Sequence, residues 1–147
     1  MLPLDLRIAP PRSPWIKLDG LLLMPSSIDK LRSKLPGGRP GSYLTHVGVT
    51  QLLFKIIRIE ETALSCVVAE AQTEDDVAAW LRANADASRY EKANGVLANL
   101  TVDQVSADLR QTFEQFYTGR DPAMRRVLDV LDWDDRRMFG IPTADRV

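Results

Sequence analysis

LDGLLLMPSSIDKLRSKLPGGRPGSY, residues 18–43, joins an apolar run, a proline-serine step, a cationic amphipathic segment and a glycine-rich turn. Leu21, Leu22, Leu23 and Met24 are too few to span a bilayer and suit a buried turn of helix or a short core segment. Either Ser26 or Ser27 can cap the helix that follows. With Ser26 as cap, Asp29 stands at the third helical position and reaches back to an orphan backbone donor. Ile28, Leu31 and Leu35 recur at helical spacing, while Lys30, Arg32 and Lys34 take other faces. Pro36-Gly37-Gly38 ends the helix, and Arg39-Pro40-Gly41-Ser42 makes a tight loop to Tyr43.

The residues around this stretch carry a resemblance. Arg12-Ser13-Pro14, Lys17-Leu18-Asp19-Gly20, Pro25, Ile28-Asp29-Lys30, Arg32, the glycine turn and Tyr43 follow one another in that order. The order resembles the opening of a bacterial family catalogued as domain of unknown function 5069. Its members read R-S/T-P, a leucine-and-glycine step, a proline, an I/L-D-K-x-R-A helix, a glycine-rich turn and a tyrosine. The likeness covers residues 12–81, with a weaker echo near the C-terminus, and departs at Ser33, where members often carry alanine. It implies a compact, mostly helical bacterial protein and transfers no catalytic residue.

Outward from that stretch, helical signals dominate. Leu2, Leu4, Leu6 and Ile8 alternate, which suits an edge strand or an extended arm over residues 1–11. Ser13 and Pro14 are placed to start a helical turn through Trp15 and Leu18 that stops at Gly20, with Trp15 as a core anchor. Thr45-His46-Val47-Gly48-Val49 is ambiguous between loop and short strand. Apolar residues at three- and four-residue spacing predict helices over 50–57 and 61–71, the second turning Ala63, Leu64, Val67, Val68 and Ala71 inward; β-branched pairs leave a hairpin within 45–71 open. Thr73 caps the next helix, and Asp76 closes a capping box over its acidic first turn. A poorer helix covers 89–100, weakened by Gly95. Thr101 with Gln104 opens the clearest one, whose stripe Val102, Val105, Leu109, Phe113, Phe116 and Tyr117 ends at Gly119. Asp121-Pro122 starts another, and Asp132 caps a last turn stopped by Gly140 and Pro142. The reading is an all-α fold of six to eight short helices: an extended arm, 1–11, and one helical domain, 12–147.

The chain has 147 residues, 45% hydrophobic and 27% charged, ordinary values for a globular protein with its own core. A single cysteine excludes an internal disulfide framework and suits a reducing compartment; with no signal-like start and no membrane-length apolar run, the expected location is the cytoplasm. Charge is uneven. Residues 1–58 carry nine Lys/Arg against three Asp/Glu, net +6, and residues 59–147 carry ten against seventeen, net −7. Complementary halves of one domain explain this as well as an anion-binding N-terminal half does.

Most catalytic chemistries lack their parts. One histidine, His46, and one cysteine, Cys66, cannot form the usual zinc site, and Cys66 among Leu64, Val67 and Val68 reads as a buried inert thiol. The turn PGGRPGS lacks the ending of a phosphate loop and follows a helix instead of a strand. Asp132, Asp134 and Asp135 lack calcium-loop spacing and adjoin Arg136 and Arg137, so capping and surface pairing account for them. No segment offers a basic recognition helix for nucleic acid. No metal, cofactor or membrane partner is expected. The leading expectation is a non-catalytic binding or interaction protein. The alternative is a small enzyme or binder for an anionic metabolite, with Lys30, Arg32 and Arg39 supplying charge and Tyr43 a hydroxyl. Asp29 could then orient a cation. Homo-oligomerisation, through opposed charge or an exposed part of the 109–117 stripe, is the third expectation.

Overall fold

Two residues with positive φ, Asp19 (52°) and Gly20 (81°), set the start of the fold. Such a pair makes a primed two-residue turn, whose twist matches an antiparallel hairpin. Strands β1 (Lys17–Leu18) and β2 (Leu21–Leu22) therefore pair, Leu18 opposite Leu21 and Lys17 opposite Leu22. This replaces the helical turn expected over residues 14–18. Asn94 locks the hairpin from outside, accepting from Leu22 N at 2.9 Å and donating to Gly20 O at 2.6 Å.

The structure, a computed structural model, describes residues 1–43 and 48–142. Of the loop-or-strand segment 45–49, residues 45–47, His46 among them, lie outside the described residues, while Gly48 is the N-cap of a helix that begins at Val49. Among the described residues seven α-helices follow β2: α1 (Met24–Ser33), α2 (Val49–Ile57), α3 (Glu61–Glu70), α4 (Glu74–Asn84), α5 (Tyr90–Asn99), α6 (Ala107–Phe116) and α7 (Val127–Met138), with one 3-10 turn before α5. The fold is mostly helical, as its periodicity requires, and the choice between helices and hairpin resolves to two helices over α2 and α3.

Helix α1 starts earlier than a serine cap predicts. Its N-cap is Leu23, at φ 67°, with Pro25 in the first turn, and Ser26 and Ser27 lie inside it at 3% and 1% exposure. A serine cap is worth about 1 kcal/mol. Continuing the helix back to Met24 keeps Leu23 and Met24 buried, worth about 1.5–3 kcal/mol for each large apolar side chain. Burial wins. Ser27 Oγ donates instead to Leu23 O at 2.9 Å, and Asp29 is released from capping.

Other boundaries shift for equally local reasons. Thr101 N does donate to Gln104 Oε1 at 3.0 Å, but residues 100–102 pair with 125–127 through Val102 N to Arg125 O (2.9 Å) and Val127 N to Leu100 O (2.8 Å). That pairing delays α6 until Ser106, whose side chain accepts from Leu109 N. Asp121-Pro122 makes a turn, and α7 runs unbroken through Asp132, which caps nothing. The Thr73–Asp76 capping box of α4 forms as predicted. On α3 only Leu64 and Val68 are fully buried; Ala63 and Cys66 are exposed. Cys66 stands two residues from each buried position, about 200° around the helix, and therefore faces out.

The main core joins β2, α1, α2, α3, α4, α5 and Leu128 of α7. Trp15 packs against it, its indole donating to Asp129 Oδ1 at 3.1 Å. A smaller cluster of Val102, Phe113, Val127 and Val130 lies between α6 and α7, so Phe113 of the 109–117 stripe is turned inward. The N-terminal arm is tied by Leu6 N to Arg39 O (2.8 Å) and Arg39 N to Leu4 O (2.9 Å), with Leu6 buried and Leu2 and Ile8 exposed. Among the described residues no helix is long and apolar enough to cross a membrane.

Helix α2 ends on Arg58 at φ 61°, ψ 49°, the left-handed position that favours glycine. Arg58→Gly should raise the unfolding free energy by about 0.5–1 kcal/mol in urea titration, since an L side chain there costs about 1 kcal/mol or more. The lost Arg58–Asp86 pair, at 3.7 Å with the arginine 64% exposed, offsets little. A destabilised variant would show that this pair holds the α2 end more firmly than an exposed ion pair should.

Candidate functional site

Ionisable groups gather where α1, the loop after it and α7 meet. Lys30 lies near the C-terminal end of α1. Its neighbour by sequence, Arg32, is about 200° round the helix and points to a different surface. The glycine turn folds back on α1 closely enough that a Cβ on Gly38 would stand 2.3 Å from Ser33 O. That return brings Tyr43 over Lys30, whose Nζ is 5.9 Å from the centre of the tyrosine ring. From α7, Asp135 Oδ1 accepts the Tyr43 hydroxyl hydrogen at 2.6 Å.

The electrostatics of this cluster are unusual for a surface. Burial pushes the Lys30 amine below its ordinary pKa, while the charge of Asp135 opposes the shift. Burial raises Asp135 to about 6; the Tyr43 hydrogen bond and Lys30 pull it down, and Asp134 and Asp132 push it up. Tyr43 is raised by burial and by its bond to Asp135, and Tyr117 is pushed up to about 12 by burial and by Asp134 and Asp135. Displaced acids, bases and phenols in one place mark a candidate site, because each displacement has a physical cost.

Two of the four residues expected from sequence, Lys30 and Tyr43, come together here. The other two serve the N-terminal arm and the glycine turn: Arg32 Nε donates to Leu2 O at 2.8 Å, and Arg39 Nη1 to Gly38 O at 2.8 Å. Asp29 is paired within the fold, with Arg12. Arg12 donates from its backbone N and Nε to Asp29 Oδ2 (2.8 and 2.9 Å) and from Nη2 to Asp29 Oδ1 (2.8 Å), and also bonds Glu74.

Asp135 is the member that sequence reasoning misses. It falls seven residues after buried Leu128 and four after Leu131, on the inward stripe of α7, and a carboxylate at such a position is the legible signal. Its neighbours behave as expected for surface pairs, Asp132 with Arg136 at 3.1 Å and Asp134 with Arg137 at 2.5 Å. Among the described residues no three His, Cys, Asp or Glu side chains are grouped to hold a metal ion.

A family model described as Domain of unknown function (DUF5069) matches residues 8–137, well beyond the 12–81 over which the likeness is visible by eye. A comparison with curated proteins finds no match.

Proposed function

Because the chain belongs to the DUF5069 family, which is defined by its sequence and not by an activity, we propose its role from the Lys30–Tyr43–Asp135 cluster: a non-catalytic ligand-binding protein of the bacterial cytoplasm. Its ligand is a small molecule that sets a carboxylate or phosphate against Lys30 and a polar group against Asp135. A single observation supports this reading. Of five lysines, four are exposed, and Lys30 alone is half-buried; among the described residues its Nζ has no hydrogen bond and no ion pair within 4.0 Å. An amine withdrawn from water without a hydrogen bond or close ion pair among the described residues is destabilising, and an acidic ligand would supply one. Arg32 and Arg39, occupied with backbone carbonyls, do not contribute to this site.

The test is a nitrogen–proton correlation titration of the protein with small carboxylates and inorganic phosphate. Shifts should cluster on the second half of α1, on Tyr43 and on the end of α7. Lys30→Met should remove them and at the same time raise the melting temperature. The sign follows from linkage. A lysine whose pKa is lowered in the fold weakens the fold while it is charged, and stability recovers as pH rises towards the unfolded value. Shifts that survive in Lys30→Met, or that lie elsewhere, would refute the reading.

A further inference from the structure

We propose that Lys30 binds its ligand covalently and reversibly, its Nζ condensing with the carbonyl carbon of an aldehyde or 2-oxo acid to form an imine beside Tyr43 and Asp135. This rests on the binding site described above and names its ligand class. Three features of the geometry lead there. The amine lies by the face of an aromatic ring and, among the described residues, without the carboxylate contact within 4.0 Å that would keep it protonated and unreactive. It is the one lysine withdrawn from bulk water. A hydroxyl and a carboxyl joined at 2.6 Å stand next to it as a route for protons.

The step balances without any co-reactant. The Nζ lone pair attacks the carbonyl carbon, and one amine proton moves to the carbonyl oxygen to give a carbinolamine. The C–O bond then breaks as the second amine proton leaves, and one water is released. The Asp135 carboxyl, with its pKa raised to about 6, can protonate the departing hydroxyl and take up the amine proton near neutral pH. The lowered pKa of Lys30 leaves more of its amine neutral there than on an exposed lysine.

The experiment is reductive trapping of the full chain with glyoxylate and sodium cyanoborohydride at pH 7, followed by peptide mapping. Lys17, Lys34, Lys55 and Lys92, all exposed, serve as internal references. The carboxymethyl adduct should form at Lys30 several-fold faster than at the references, because burial lowers its pKa and leaves more of its amine neutral at pH 7. Asp135→Asn should slow the Lys30 adduct while leaving the reference lysines unchanged. Adducts on the references with Lys30 equal to them or slower would overturn the imine. A parallel titration with glycolate, which has the same carboxylate and no carbonyl, separates the two ideas. Shifts at Lys30 with glycolate but no rapid adduct would leave the binding site standing and remove the imine. Absence of both would remove both.

Discussion

Asp29→Ala should lower the unfolding free energy by about 3 kcal/mol, the largest loss expected from any polar substitution in this protein. The Asp29 side chain is 5% exposed, and it accepts a two-pronged guanidinium contact and a backbone N–H from Arg12, with Arg32 at 3.8 Å. Burial works against the Arg12 charge, but the hydrogen bonds to Glu74 and Asp29 outweigh it and hold its pKa above the usual value. Removing one partner of a buried ion pair costs about 3–5 kcal/mol because the other charge is stranded. The lower end applies, since the Arg12 side chain is 34% exposed and keeps Glu74. Urea titration of Asp29→Ala, Arg12→Ala and the double variant checks this. The double variant should lose clearly less than the sum of the two singles, because neither Asp29 nor Arg12 is left facing a missing partner, and Glu74 at 30% exposure is solvated by water. Additive losses would mean that the ion network contributes through packing alone. Glu74, which the Arg12 hydrogen bond holds below the usual carboxylate range, adds stability that is lost as pH falls through its folded value.

Asp135→Asn should have the opposite sign: a gain of about 2 kcal/mol at pH 7. In the fold this carboxyl titrates at about 6 against 3.8 ordinarily, so ionising it works against folding. Holding a carboxyl that far above its ordinary value corresponds to about 3 kcal/mol, and partial exposure reduces that. Between pH 4 and 6 the folded state holds a proton that the unfolded chain has released, so stability falls as pH rises through this window. Below about pH 4 both states are protonated and the advantage of asparagine should vanish. The groups that set this balance are Lys30 of α1, Tyr43 of the loop, Tyr117 after α6, and Asp132 and Asp134 of α7 itself. Melting curves of both proteins at neutral and acid pH, on either side of this window, read it directly. A variant less stable than the parent at neutral pH would show that attraction to Lys30 exceeds the cost of burial. Together with Lys30→Met, the expected result is a pair of substitutions that stabilise the protein and weaken its ligand binding, as when a binding site is retained against stability.

Much of the candidate site is legible in fragments. Lys30 and Tyr43 stand out because a cationic helix and a glycine turn adjoin them, and the turn does bring one over the other. Arg32 and Arg39 look equivalent to Lys30 by type. Spacing of two on a helix and a carbonyl one residue away send them to other partners. Asp135 reads with Asp132 and Asp134 as one surface cluster, since charge alone does not distinguish a carboxylate on the solvent face from one on the inward stripe. The hairpin is hidden although Asp19-Gly20 between apolar residues is a recognised turn signal. The preceding Ser13-Pro14 step is an equally local helix signal, and pairing of β1 with β2 overrides it.

The sequence by itself determined the helical class, the order of the helices over α2 to α5, the Thr73–Asp76 cap and the burial of Leu21, Leu22, Leu23 and Met24. These follow from period, capping chemistry and apolar content, all local quantities written along the chain. Only the tertiary structure decided where α1 and α6 begin, that Asp29 receives Arg12 and that Tyr43 of the loop meets Asp135 of α7, 92 residues away. Each of those outcomes is a competition between a local preference of about 1 kcal/mol and burial or pairing with a distant segment. The local pattern specifies the first contender, and the packed fold supplies the second.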